Sequence, residues 1–420
     1  MDPQVVAAII AAIVSVLTLI GTLAAQYFGR RATSRDTEKT LEEQGKHLDR
    51  TLAQQRDQLD QTLREQRDQL DRTLAEQRTR TLNERFATAA SQLGSDRPAA
   101  VRLAGVYAMA DLADDWEENR QTCVDVLCAY LRLPYEPDPG DEAPAAMRLE
   151  FRASQEVRHT VIRAITGRLK KGAAVSWQGL DFDFTSAVFD GGDFTFAEFS
   201  GGVVCFDGAQ FSGGTVSFRD AEFSGGTVSF VDAEFSGGTV RLDHAKFSGG
   251  GVRFIRARFS NGTVSFGGAE FSSGEVSFGL ANFSGATVSF DGAGFSGGQI
   301  GFTFARFSGG EVGFDGARFS GGEVGFDGAR FSSHTVSFGH ARFSGGTVSF
   351  RGAEFSGGTV SFGGGQFSGG TVDFNGAQFS GGTVDFEGTQ DWSCPPQFDW
   401  DASGAPPGNV ILPVDAGRSS

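Results

Sequence analysis

The sequence has few of the residues that cross-link a fold or bind metal ions. Its 420 residues include four cysteines and five histidines. Four cysteines are too few for a disulfide framework in a chain of this length. Two of them lie close together but do not form a Cys-x-x-Cys pair. We therefore expect the cysteines to be small buried hydrophobic residues in a reducing compartment: Cys123, Cys128, Cys205 and Cys394.

The motifs of common catalytic centres are also missing. The chain has no HExxH, no GxSxG, no P-loop and no calcium-binding Gly-Asp nonapeptide. His244 and His340 occupy equivalent positions of the 12-residue repeat described below. The predicted distance between them along the axis of the repeat, ~19 Å, is too long for a shared metal ion. His334 occupies a different corner, and for His159 a solvated or capping role is expected. We predict no catalytic, cofactor-binding or metal-binding residues, and thus a protein that is not an enzyme.

Basic residues are in the minority. Lysine and arginine number 36 against 52 aspartates and glutamates, which gives a net charge of −16 and a pI of about 4.8. This balance argues against direct nucleic-acid binding, which requires cations that neutralise phosphates. It leaves open the opposite relation, in which the protein imitates an acidic polymer such as DNA.

Phenylalanine and glycine, by contrast, are abundant, with 41 and 60 residues, because one template is copied many times. The phrase FSGGEVGFDGAR stands at 307–318 and again at 319–330, and residues 199–390 hold sixteen such 12-residue copies. Most copies contain V-x-F and A-x-F, whose two apolar side chains point to the same side of an extended backbone. The Gly-rich spacers supply the positive φ of sharp corners.

Just upstream the spacing drops to five, at Phe184, Phe189, Phe194 and Phe199. With small residues two positions before phenylalanine, this stretch resembles the pentapeptide repeat. The resemblance implies a right-handed quadrilateral parallel β-helix over 172–390, a solenoid with four short faces per coil. We expect each copy to form two faces, so that two copies make one coil and nine coils form in all. Residues 391–420 are then a C-terminal cap and flexible tail.

An uncharged, mostly apolar stretch covers residues 3–29. At ~1.5 Å per residue it is long enough to cross a bilayer, and we predict a transmembrane helix over 4–29. The alternatives are a buried globular helix and a signal peptide, which would need a basic residue in front of it. Arg30, Arg31 and Arg35 follow the stretch instead. The positive-inside rule then predicts a single-pass protein of the cell membrane, with the N-terminus outside and the bulk of the chain cytoplasmic.

Four copies of an 11-residue repeat follow at 40–83. Their leucines and glutamines form a stripe of about 3.67 residues per turn, the period of a nearly straight or slightly right-handed coil. A narrow stripe of this kind is buried only against another helix. We predict a coiled-coil stalk over 36–83 that makes the protein a homo-oligomer. A single helix supported by charge pairs is the alternative.

Residues 84–171 are predicted to form a small α-helical domain with a Pro-rich linker at 134–145. The segment ERFATAASQLG…AVRLAGVYAMADLADDW…RQTCVDVLCAYLR resembles the helical module that precedes pentapeptide repeats in bacterial membrane-anchored proteins, especially actinobacterial ones. That resemblance implies no activity. The chain is therefore predicted to be a mixed α and β-helical scaffold, anchored in the lipid bilayer, which presents its β-helix to a cytoplasmic protein partner.

Two other functions are open. Soluble pentapeptide-repeat proteins imitate DNA and act on DNA gyrase, and the β-helix here carries an excess of carboxylates. Against this, arginines recur at twelve-residue steps, at Arg306, Arg318, Arg330 and Arg342, and predict one basic face. Repeated T-V-S segments also resemble the Thr/Ser ladders of ice-binding β-helices, although E-V-G and V-D-F segments interrupt them.

Overall fold

The computed structural model describes residues 3–28, 35–94, 96–333, 335–402 and 405–414. Arg30, Arg31 and His334 lie outside the described residues. The chain divides into two compact units, Met1–Arg80 and Thr81–Ser420. The predicted helical domain at 84–171 and the predicted β-helix at 172–390 thus belong to one unit.

Five α-helices and two short 3-10 helices are described. The α-helices are α1 Pro3–Phe28, α2 Arg35–Gln92, α3 Ala99–Asp115, α4 Arg120–Arg132 and α5 Ala145–Leu169, and the 3-10 helices are Glu117–Asn119 and Asp399–Ala402. The sequence pattern predicts a capping box from Asp115 to Glu118, but α4 begins after Asn119, which makes no side-chain capping bond. Asp115 instead ends α3 and pairs with Arg85 at 2.8 Å.

The first unit contains α1 and most of α2. Among the residues that the structure describes, no helix is both long and apolar enough to cross a membrane. The predicted transmembrane helix over 4–29 is therefore not supported.

The predicted helix over 36–83 is confirmed as part of α2. It extends to Gln92 because no proline interrupts the sequence before that point and the next glycine is Gly94. Five leucines of its stripe are about half exposed: Leu41, Leu59, Leu63, Leu70 and Leu74. The described chain thus leaves these five leucines uncovered, and the coiled coil stays a prediction.

The second unit contains a parallel β-solenoid of about nine turns. Phe223 pairs in register with Phe247, and Phe247 with Phe271, so that one coil spans two copies of the repeat, as predicted. Seven of its strands have eight residues and continue through a corner: β4 Glu198–Cys205, β7 Glu222–Ser229, β16 Asn282–Ser289, β19 Arg306–Gly313, β20 Arg318–Gly325, β23 Arg342–Ser349 and β26 Gln366–Asp373.

The other described strands are short and lie on single faces. Those of three residues are β6 Thr215–Ser217, β9 Thr239–Arg241, β11 Gly251–Arg253, β13 Thr263–Ser265, β15 Glu275–Ser277, β18 Gln299–Gly301, β22 Thr335–Ser337, β25 Thr359–Ser361 and β28 Thr383–Asp385. Those of two residues are β1 Phe182–Asp183, β2 Val188–Phe189, β3 Gly192–Asp193, β5 Gln210–Phe211, β8 Glu234–Phe235, β10 Lys246–Phe247, β12 Arg258–Phe259, β14 Glu270–Phe271, β17 Gly294–Phe295, β21 Arg330–Phe331, β24 Glu354–Phe355, β27 Gln378–Phe379 and β29 Val410–Ile411.

The solenoid core contains four columns of phenylalanine rings, with Leu242 in place of one ring, and buried valines and alanines between them. Phe319 stacks on Phe295 and on Phe343, each at 4.8 Å between ring centroids and nearly parallel. Across the coil, Phe278 meets Phe290 edge to face at 5.7 Å. Both arrangements suit the charge distribution of aromatic rings. Every coil thus buries its apolar side chains against the coils above and below.

Polar bonds join the helices to the first coil of the solenoid. The Trp177 Nε1–H donates to Asp114 Oδ1 at 2.9 Å, and Arg168 donates to both carboxylate oxygens of Asp114. Trp177 is fully buried. The α-helical region therefore covers the open end of the sheets, which would otherwise expose unpaired backbone groups.

Aromatic residues cover the other end. Phe398 stacks on Phe374 at 5.0 Å, and Trp400 stacks on Phe398 at 3.9 Å. Trp392 lies edge-on to Phe367 at 5.2 Å. The column thus ends in larger rings that have no counterpart in the repeat.

Candidate interaction surface

The outward side chains of the solenoid form ladders, because equivalent residues of successive coils are paired in register. Charged rungs pair along them: Arg258 lies 2.6 Å from Glu234, and Arg330 lies 3.1 Å from Glu354. These side chains are substantially exposed, and such pairs add little to stability, roughly 0–1 kcal/mol. The ladders therefore define the surface chemistry more than they hold the fold.

The arginines at twelve-residue steps do not form the single basic face that their spacing predicts. Arg306 pairs with Arg330 in one sheet, whereas Arg318 pairs with Arg342 in the other. The reason is that one copy of the repeat is only half a coil, so consecutive copies lie on different sides. Positive charge is thus divided between two faces.

The Thr/Ser segments do align. Thr239, Thr263 and Thr287 are paired in register on adjacent coils. Glu311 then takes the place of threonine in the next coil, and Thr335 resumes the ladder. The flat array needed for an ice-binding face is therefore interrupted by a carboxylate.

A shallow groove of about 240 Å³ crosses three coils on the face that carries β15, β18 and β20. Its floor includes Gly301 and Gly325, which are paired with each other and stand where the neighbouring coils carry Ser277 and Ser349. Two consecutive missing side chains therefore create the depression. We call it the Gly301 groove; the residues that line it are Glu275, Val276, Ser277, Gln299, Ile300, Gly301, Thr303, Glu323, Gly325 and Asp327.

The rim of the Gly301 groove is acidic. Glu275, Gln299 and Glu323 form a ladder along one edge, and Asp327 stands at the opposite edge. Neither lysine nor arginine is among the lining residues. Within the described part of the chain, Glu275 and Glu323 form no ion pair. The groove thus presents negative charge with no cation among its lining residues; the nearest arginine along the ladder is Arg253, which is paired in register with Ser277 on the preceding coil.

Two large apolar side chains are exposed at the corner next to the groove. Leu280 and Phe304 are 54% and 60% exposed, and their φ angles are 60° and 56°. Their amide groups donate to the carbonyl oxygens of Thr303 and Asp327, which line the groove. The equivalent residue of the next coil is Gly328. We call Leu280 and Phe304 the apolar corner.

A left-handed backbone costs a residue with a Cβ ~1–2 kcal/mol, and large side chains rarely adopt it. The ring of Phe304 lies over Gly328, where an added Cβ would come within 2.5 Å of it. Glycine would relieve the strain at both positions of the apolar corner.

A polar cluster joins α5 to the first coil. The carboxylate of Asp190 accepts hydrogen bonds from the Tyr135 hydroxyl at 2.6 Å and from Gln155 Nε2 at 2.8 Å. His159 Nε2 lies 3.3 Å from its other oxygen. Burial alone would raise the pKa of Asp190, but the bonds from His159, Tyr135 and Gln155 hold it below its ordinary value. His159 is therefore a half-buried structural residue rather than a solvated one.

Arg158 lies beneath this cluster and is almost fully buried. Its guanidinium donates to the carbonyl oxygens of Leu131 and Val188 at 2.8 and 2.7 Å and lies 4.2 Å from the centre of the Tyr135 ring. Burial lowers the pKa of Arg158, while burial and the bond to Asp190 raise the pKa of Tyr135. No local sequence pattern indicates this cluster, because its members are distant along the chain.

The cysteines divide into two groups. Cys123 and Cys128 are fully buried, as predicted, and burial raises their pKa values to about 11 and about 12. The prediction is wrong for Cys205, which is half-buried at a strand end, and for Cys394, which is exposed.

Metal sites are not apparent in the part of the chain that the structure describes. No group of three His, Cys, Asp or Glu side chains there could hold a metal ion. His244 and His340 occupy equivalent left-handed corner positions, with φ of 57° and 55°. Both are exposed, and four coils separate them.

Comparison with known proteins found no matching family model, no similar curated protein and no similar solved structure. The solenoid of about nine turns and its regular phenylalanine ladder are consistent with a pentapeptide-repeat-like fold.

Proposed function

We propose that the β-helix is a non-catalytic scaffold that binds a protein partner through its outward faces. One observation carries the proposal: a uniform phenylalanine core supports ladders whose outward residues differ from coil to coil, as at Glu275, Gln299 and Glu323. A solenoid that keeps its core constant and varies its surface suits recognition over several coils. Solenoids of this kind are typical of non-enzymatic proteins.

Pulldown with crosslinking tests this function. The full-length chain is the bait, and the Phe319→Asp variant, whose core we expect to be disrupted, is the matched control bait. A partner captured by the wild type and lost with Phe319→Asp supports binding by the folded β-helix. Equal capture by both baits, or no specific capture by the wild type, contradicts it.

We also propose that the N-terminal region holds this scaffold at the cell membrane as a homo-oligomer. Support comes from the lack of charge between Pro3 and Phe28, from the half-exposed apolar side chains of α1, such as Ile13 and Leu17, and from the exposed leucines of α2. Apolar surface of this extent needs a cover of lipid or protein.

Thiol labelling in intact cells tests the membrane topology. A cysteine introduced as Arg35→Cys in a Cys394→Ser background is expected to be shielded from an impermeant thiol reagent. Labelling of the introduced thiol in intact cells would reverse the proposed orientation, and a chain that stays in the supernatant after lysis and centrifugation would remove the anchor.

Imitation of DNA is the second candidate. The observation that favours it is the charge of residues 177–390, with 22 carboxylates against 11 lysines and arginines. The two arginine ladders weaken it. If this function is correct, the protein inhibits supercoiling by DNA gyrase at low-micromolar concentration, and more strongly at low salt, because screening is then weaker. Absence of inhibition at low salt excludes it.

A further inference from the structure

We infer that the Gly301 groove and the apolar corner together form a docking site for a short, extended protein segment that carries both basic and apolar side chains. This inference rests on the proposed function, because it names the chemistry of the partner that the scaffold binds. Three observations lead to it: the shape of the groove, its charge and the position of the apolar corner.

The shape suits an extended chain. The groove crosses three coils, which at ~4.8 Å per coil gives a length of about 10 Å, the span of roughly three extended residues. Its floor is open backbone at Gly301, where a bound segment can approach the sheet closely, whereas Gly325 is buried and has the Asp327 carboxylate beside it. On either side of these glycines the Ser277 and Ser349 side chains close the floor.

The charge selects the partner. Glu275, Glu323 and Asp327 line the groove, and no lysine or arginine is among its lining residues. Asp327 uses Oδ1 to accept a bond from Ser349 at 2.6 Å, so its other oxygen remains for a ligand. Glu275 and Glu323 stand two coils apart on one edge, with Gln299 between them, and Asp327 stands on the other edge. Carboxylates on both edges attract a cationic segment. The complement of this rim is therefore arginine or lysine.

The apolar corner supplies the rest of the contact. Leu280 and Phe304 adjoin Thr303 and Asp327 at the groove edge, and both are exposed in spite of their strained backbone. What distinguishes them from the equally exposed Phe196 is their place beside an acidic groove. An apolar side chain buried at an interface contributes a large share of the affinity. An apolar side chain of the partner fits here.

The opposite side of the β-helix provides a natural control. Glu311 is a carboxylate there, between Thr287 and Thr335, but its neighbour Gly313 lies between two serines and makes no paired-glycine floor. The nearby left-handed corners carry Gly292 and Gly316. This side therefore has negative charge without the groove or the apolar corner.

Fluorescence anisotropy with the full-length chain tests the site. The probes are labelled decapeptides of alternating Arg and Leu, of alternating Arg and Ser, and of alternating Glu and Leu. We expect the Arg–Leu peptide to bind, with weakening as salt rises. Phe304→Gly and the double variant Glu275→Gln/Glu323→Gln should each weaken binding by about tenfold, as loss of an anchor or of two rim charges does. Gly301→Ser, which restores the repeat residue, should also weaken it by filling the floor.

The controls are Glu311→Gln and Phe196→Gly, which should leave binding within about twofold because they lie outside the groove. Phe196 matches Phe304 in exposure and backbone angle, at 57% and 61°. Both variants relieve a left-handed backbone, so thermal unfolding of Phe304→Gly measured beside Phe196→Gly separates loss of binding from loss of fold. If Glu311→Gln weakens binding as much as the double variant, or if the Glu–Leu peptide binds equally, the inference is overturned. If groove variants still capture the partner in the pulldown, the docking site is wrong while the scaffold function stands.

Discussion

The chain contains two repeats of nearly equal length, an 11-residue repeat in α2 and a 12-residue repeat in the β-helix. They bury their apolar side chains in different ways. In the β-helix, Phe319 is covered by Phe295 and Phe343 of the same chain. In α2, Leu63 and Leu70 remain about half exposed. Successive repeats of a single α-helix lie end to end, so they cannot bury each other's apolar side chains. Successive coils of a solenoid stack face to face, so each coil buries the apolar side chains of the one before.

The difference has an energetic consequence. Ordering a residue costs ~1–2 kcal/mol of backbone entropy, and a single coil cannot offset that cost. Stacked coils share their contacts, so the β-helix is stabilised collectively and locally damaged coils affect their neighbours. The α2 helix carries charge pairs such as Lys46 with Glu42, and its exposed leucines have no such collective packing in the described chain.

The largest expected effect is in the core of the β-helix. Phe319→Asp should lower the free energy of unfolding by more than ~5 kcal/mol, since it removes a buried ring and leaves an unpaired buried charge. Thermal and denaturant unfolding of the full-length chain measure this. Arg318→Gln, at the exposed neighbouring position, should change stability by less than ~0.5 kcal/mol. Equal losses for the two variants would mean that the phenylalanines are not inside.

Coil-to-coil contact is tested by two glycines with the same φ of 67°. An added Cβ at Gly226 would overlap the Gly202 carbonyl oxygen of the previous coil, whereas at Gly292 no described atom lies within 4 Å. Gly292→Ala should cost only ~1–2 kcal/mol for the left-handed backbone. Gly226→Ala should cost about 2 kcal/mol more, because backbone must move. Identical melting temperatures would contradict the tight stacking.

The junction between helices and solenoid should show a pH dependence. Asp190 has a lowered pKa in the folded protein, so its stabilising effect is complete above the unfolded pKa of about 4 and disappears as pH falls through the folded value. Asp190→Asn should therefore cost ~1–2 kcal/mol at pH 7 and progressively less towards pH 3. Asp141→Asn, in the exposed linker, should cost nothing measurable at either pH. A constant loss from pH 7 to pH 3 would show that ionisation of Asp190 is not involved.

The smallest effect on folding is expected in α2. Leu63→Asp should leave the unfolding of the β-helix unchanged, because Leu63 and the β-helix belong to different compact units. It should nevertheless reduce self-association, which sedimentation equilibrium measures, since a charge enters the leucine stripe. Asp68→Asn, on the same helix outside that stripe, is the control. An unchanged molecular mass for Leu63→Asp would favour a single charged helix.

The period of the sequence predicted the coil length and the phenylalanine columns, because stacking every second copy leaves only one way to bury Phe199, Phe223 and Phe247 together. The same rule locates the Gly301 groove, since Gly301 and Gly325 are one coil period apart and thus adjacent. The same 24-residue coil period shows why the predicted single basic face is wrong: arginines twelve residues apart lie half a coil apart, in different sheets. The cluster around Asp190 was beyond prediction, because it joins distant segments of the helices to the first coil, and no local pattern specifies such contacts.

The tryptophans at the two ends of the solenoid provide an intrinsic spectroscopic signal for its unfolding. The four tryptophans of the chain are Trp116, Trp177, Trp392 and Trp400, and the phenylalanine repeat between the second and the third contains none. Tryptophan emission therefore originates from the ends of the solenoid and the segments that cover them, while ultraviolet absorption by phenylalanine reports the whole length of the stack. Unfolding that begins at an end changes tryptophan fluorescence before phenylalanine absorption, whereas unfolding that begins in the centre changes phenylalanine absorption first. A single unlabelled sample can distinguish the two.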